Sequence, residues 1–141
     1  MLVLTEQKMA KHAATYLAIL VTMVVIDMLW LRVVAVHWYA DGMGQLLTDT
    51  PNLVAAAAFY LLFPLGLLIF AVLPGEASSV LKVAVMGGLF GFFAYATYDL
   101  TALAVIKNWP LGLTLLDMAW GTLVSGVSAV AGKLAMDALK S

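Results

Sequence analysis

Three aspartates stand in stretches that are otherwise almost wholly apolar: Asp27 before Met28-Leu29-Trp30, Asp99 after Tyr98, and Asp117 before Met118-Ala119-Trp120. A carboxyl group in such surroundings has few uses. It holds a proton, it holds a cation, or it is hydrogen-bonded across a helix interface and acts as glue. Trp30, Tyr60, Tyr95, Tyr98, Thr101 and Trp120 bring hydroxyl and indole groups to the same neighbourhoods. Rings with polar tips suit the wall of a pocket for a lipid headgroup, a quinone-like ring or another amphipathic molecule.

Other chemistry drops out quickly. The chain has no cysteine, which removes disulfides, thiolate metal sites, iron–sulfur clusters and thiol nucleophiles together. His12 and His37 bracket the first apolar segment, about 37 Å apart at helical rise, too far to share one iron or zinc. No H-E-x-x-H, G-x-S-x-G or Walker pattern is present. Three aspartates can hold a hard divalent cation through oxygen, supplemented by Tyr98 or Thr101, and are equally suited to relaying protons. The residues point to binding or passage rather than catalysis, and they name neither a metal nor a cofactor.

The elements that must position these residues follow from composition. Of 141 residues, 65% are hydrophobic and 11% charged, against roughly 25% charged in a soluble domain. So small a chain cannot hide that much apolar surface from water, so it must face lipid. A net charge of −1 leaves no basic field for nucleic acid. Stretches of about 20 apolar residues, the length a bilayer requires, occur at 13–36, 53–73, 81–106 and 110–136. Continuous apolar runs such as Val21 to Ile26 rule against the alternation of a membrane barrel.

The expected fold is therefore all-α: one transmembrane domain over 1–141, a four-helix bundle running up and down. The linkers carry breakers, Asp41-Gly42 and Pro51, Pro74-Gly75, and Asn108-Trp109-Pro110. Residues His37 to Asn52 read as a short interfacial helix in which His37, Trp38 and Tyr39 form an aromatic belt. Pro64, midway along the second span, is expected to kink it and free a carbonyl. The first span reads as uncleaved, because its apolar run leads into Asp27 rather than a small-residue cleavage site. Lys8, Lys11, Lys82, Lys133 and Lys140 gather at one end, against Arg32 and Lys107 at the other, which puts both termini in the cytoplasm.

Depth then brings the acids together. Asp27 lies roughly 21 Å and Asp99 roughly 24 Å above the cytoplasmic starts of their helices, and Asp117 roughly 10 Å below the outer end of its own. All three fall in the outer half of a core about 30 Å thick. Polar and small residues at spacings of three and four flank them: Gly87, Gly91, Tyr95 and Asp99 in one helix, Thr114, Asp117, Gly121, Ser125 and Ser128 in the next. The small residues also let helices approach closely in lipid.

Asp27-Met28-Leu29-Trp30, Phe59-Tyr60-Leu61-Leu62-Phe63-Pro64-Leu65-Gly66, Tyr98-Asp99-Leu100-Thr101 with Trp109-Pro110, and Asp117-Met118-Ala119-Trp120-Gly121 resemble one family across nearly the whole chain. It is the bacterial predicted membrane proteins called domain of unknown function two-one-seven-seven. The resemblance implies a multi-pass inner-membrane protein of four spans, with no established activity to carry over. The asparagine usual after its Tyr-Asp-Leu-Thr run is Ala102 here, a departure that bears on ligand coordination. The expected function is a membrane protein that binds or passes a proton, a cation or a lipid-like amphipathic ligand. A scaffold or accessory subunit of a larger membrane complex, a homo-oligomer, and a partner of lipid-modifying enzymes are the alternatives.

Overall fold

A computed structural model describes residues 1–34, 41, 42, 44 and 46–140. The described residues form four helices, each long and apolar enough to cross a membrane. Helix α1, Leu2–Leu29, runs on through a wide π-helical turn at Trp30–Val34. Helix α2, Leu53–Leu67, does the same through Leu68–Val72, and α3, Val80–Val105, and α4, Leu111–Ala138, complete the bundle. Helix α1 starts at Leu2, so Lys8 and Lys11 are helical. The belt residues His37, Trp38 and Tyr39 lie outside the described residues.

Local chemistry sets the helix ends. The Asn52 and Ser79 side chains accept hydrogen bonds from the backbone N–H groups of Ala55 and Lys82, both at 3.1 Å, and so cap α2 and α3. Asn108 takes a left-handed conformation, φ 61°, in the reversal after α3, where asparagine is tolerated better than most side chains. Pro110 follows as the N-cap of α4. Pro64 is buried inside α2 and cannot donate to the ladder, and the wide turn follows it, with Leu73 N–H bonded to Leu68 carbonyl oxygen at 2.9 Å.

Helix α4 is the axis of the bundle: it packs most extensively on α3, next on α1, and is the most buried of the four. Glycine permits these contacts. A Cβ on Gly91 would collide with Ser125, one on Gly121 with the Tyr95 ring, and one on Gly132 would sit 2.5 Å from Ile19 Cγ1. Ile19, Leu67, Val72, Val83, Ala129 and Met136 fill the half nearer the termini, and Met23, Trp120 and Val124 the other. Leu62, Phe70, Leu81, Phe93, Leu115 and Leu123 point outward, where hydrocarbon rather than water is their natural solvent.

The end carrying the termini is held by charge. Lys11 Nζ meets Glu76 Oε1 at 2.7 Å. Lys133, only 3% exposed, donates to the Glu76 carbonyl at 2.7 Å and to Asp137 Oδ1 at 3.0 Å, and Lys140 reaches the same carbonyl at 2.9 Å. Lysines that the sequence offers as topology markers thus also clamp the 73–79 turn onto α1 and α4. The Lys11 ammonium, by hydrogen bond and by charge, holds the Glu76 carboxyl below the usual carboxylate range.

Candidate functional site

The three aspartates separate into two centres, about one helical turn apart along α4. In the first, Asp27 of α1 is 7% exposed and accepts hydrogen bonds from the Tyr60 hydroxyl of α2 and from Trp120 Nε1 of α4, the latter at 2.9 Å. Trp30 stacks on Trp120, centroids 4.2 Å apart and planes within 7°. One carboxyl therefore ties three helices, with both of its oxygens engaged.

In the second centre, Asp99 of α3 lies beside Asp117 of α4. Asp99 is 2% exposed and its Oδ2 is buried with no hydrogen-bond partner.

Asp117 also lines a cavity of about 380 Å³ together with Phe59, Phe63, Ala94, Tyr95 and Tyr98. Its volume falls in the range of small-molecule sites, about 300 to 1,000 Å³. Phe63 and Tyr95 meet at right angles, centroids 6.0 Å apart, and make a corner of the wall. Tyr98, largely exposed, is edge-on to Trp109 at 5.9 Å.

Of the residues singled out by sequence, Asp117, Tyr95 and Tyr98 come together at the cavity with Asp99 beside Asp117, and Asp27, Trp30, Tyr60 and Trp120 form the neighbouring knot. Thr101 joins neither: it is exposed, and its hydroxyl bonds back to the carbonyls of Thr97 and Tyr98 in its own helix. Phe59 and Phe63, two walls of the cavity, carry a legible signal as aromatics four apart that bracket Tyr60. Among the described residues no three of His, Cys, Asp and Glu are grouped as a metal would require. A family model described as a predicted membrane protein matches residues 12–134. No curated protein and no solved structure matches the chain.

Proposed function

The chain belongs to that family, DUF2177, and from this premise we propose that it is a non-catalytic membrane protein that holds a small amphipathic or cationic ligand between α2, α3 and α4. Asp99 and Asp117 would face the polar head of the ligand, with Tyr95, Tyr98, Phe59 and Phe63 around its apolar part. The observation that carries this reading is the buried, unpartnered Asp99 Oδ2 beside a carboxyl that lines an aromatic cavity. Leaving such an oxygen unsatisfied costs roughly 1 to 3 kcal/mol, which a ligand or proton would recover. Asp27, Tyr60, Trp30 and Trp120 would act as the support that fixes α1 and α2 on α4. The protein works in the bacterial inner membrane with both termini cytoplasmic, a placement supported by Lys8, Lys11, Lys82, Lys133 and Lys140 at one end.

Native mass spectrometry of the chain, extracted from its own membrane in mild detergent, tests this. A small copurifying mass present in the wild type and missing from folded Asp99→Asn is the expected result. Retention of that mass by the variant would sink the assignment. A second reading, an accessory subunit of a larger complex, draws on a groove of about 560 Å³ along α3 and α4, edged by Ala84, Gly88, Thr122 and Gly126. A stoichiometric protein partner with no small mass would favour it.

A further inference from the structure

The half of the molecule that carries the termini holds a second site, independent of the aspartate cavity. We propose that Lys82 and the groove beside it on α3 bind one anionic phospholipid, its phosphate at Lys82 and an acyl chain along the groove. A pocket of about 220 Å³ is lined by Ala71, by Pro74 and Gly75 of the turn, and by Lys82, Val83 and Met86. Met86 also lines an apolar groove of about 370 Å³ with Phe70, Leu89, Phe90 and Phe93, so the two adjoin. Phe70, in the wide turn after α2, stacks on Phe90 of α3, centroids 5.8 Å apart and planes at 16°, and gives the groove a flat aromatic wall.

Charge selects the head. Lys82 is the one charged residue at the smaller pocket among the described residues. Its backbone N–H donates to Ser79 Oγ, while its exposed ammonium has no hydrogen bond or ion pair among the described residues. In the adjoining turn Glu76 is already held by Lys11 at 2.7 Å, so it does not compete for Lys82. No carboxylate lines the pocket to receive the ammonium of a zwitterionic head, whereas an anionic head meets a free lysine.

Length selects the tail. Lys82 stands in the first turn of α3, where a lysine stem lies along apolar surface and its ammonium reaches the polar boundary. Met86, Leu89, Phe90 and Phe93 follow it at helical spacings of three and four, along one face. The eleven residues from Lys82 to Phe93 rise about 16 Å, which matches one leaflet's half of a core about 30 Å thick. A free phosphate would use only the pocket. An acyl chain also covers Phe70 and Phe93, which the protein leaves open.

Native mass spectrometry of the delipidated full chain in uncharged detergent tests this, with equal amounts of dioleoyl phosphatidylglycerol and dioleoyl phosphatidylcholine added. The tails are the same, so the comparison reads the head. The expected result is one bound phosphatidylglycerol, favoured about fivefold over phosphatidylcholine, the share of one lysine near an anionic head. Lys82→Gln abolishes the preference and Lys82→Arg keeps it. Lys8→Gln, which removes another lysine without an ion pair from the same end, leaves it unchanged. Phe93→Ala lowers occupancy by both lipids alike. Equal effects of Lys8→Gln and Lys82→Gln would reduce the preference to general surface charge, and displacement by glycerol phosphate, which has no tail, would make the ligand a free phosphate. Either result overturns the assignment, as does a wild type without preference. Asp99→Asn is expected to keep the lipid, and a lipid lost with Asp99 would belong to the cavity and overturn the assignment too.

Discussion

At the end that carries the termini, Lys11, Lys133 and Lys140 meet Glu76 and Asp137 in ion pairs of 2.7 to 3.6 Å. In the opposite half, Asp27 meets a phenol and an indole N–H, and Asp99 lies beside Asp117. The difference follows the solvent. At the membrane boundary, water and lysine stems make full ion pairs affordable, whereas deeper in hydrocarbon the Asp27 carboxyl is held by neutral donors. One end therefore stores most of its charge in closed pairs, and the other keeps a carboxyl oxygen available.

The comparison can be broken most directly by separating the helices that carry the acidic half. Gly91→Leu drives a side chain into Ser125 and the Gly121 carbonyl, so the α3–α4 contact should lose about 3 kcal/mol, read as a fall in the SDS-unfolding midpoint. Unchanged stability would mean that the two helices do not pack as described. Asp27→Leu is next, because it strands the Tyr60 hydroxyl and Trp120 Nε1. We expect a loss of about 2 kcal/mol, partly recovered by Asp27→Asn, with loss of the Trp120 environment in near-ultraviolet circular dichroism.

At the basic end the effects are smaller, since partners overlap. Lys133→Met should cost only about 1 kcal/mol, because Lys140 already reaches both the Glu76 carbonyl and Asp137. The double change with Lys140→Met should cost more than the sum of the single ones, and additive losses would show the two lysines to be independent. Smallest is the Glu76 contribution. Its pKa is lowered in the fold, so its stabilisation is complete above the ordinary value of 4.5 and is lost as pH falls through the lowered one. Thermal midpoints of wild type and Glu76→Gln should therefore converge below about pH 4.5, and parallel curves would deny the Lys11 pair a role.

The number of spanning helices was legible because a bilayer dictates the count of apolar residues and breakers mark the turns, although α1 begins at Leu2 rather than near residue 13. Gly87, Gly91 and Asp99, read as one face of α3, are all buried. Pairing across helices was not legible. In a helix that is apolar all round, periodicity does not fix which side meets which neighbour, so nothing in the local sequence ties Trp120 to Asp27 or turns Thr101 back on its own helix. Lys133 was hidden for a related reason: lysine near a helix end looks solvated until the fold brings a backbone carbonyl to it. Ser125 and Ser128, on the expected stripe of α4, are buried with hydroxyls that have no hydrogen-bond partner, a detail that only packing reveals.

The wide turn at Leu68–Val72 has a bearing on how such a cavity is tuned. A π-helical turn accommodates about one residue more than an α-helical turn, and one residue corresponds to about 100° of rotation. The turn therefore acts as a phase offset between α2, which bears Phe59, Tyr60 and Phe63, and the 73–79 turn that the lysines clamp. Deleting a single residue there would leave the 73–79 turn clamped and swing the two phenylalanines away from Asp117. The geometry of the aromatic wall is thus set by chain length in a segment that does not line the cavity.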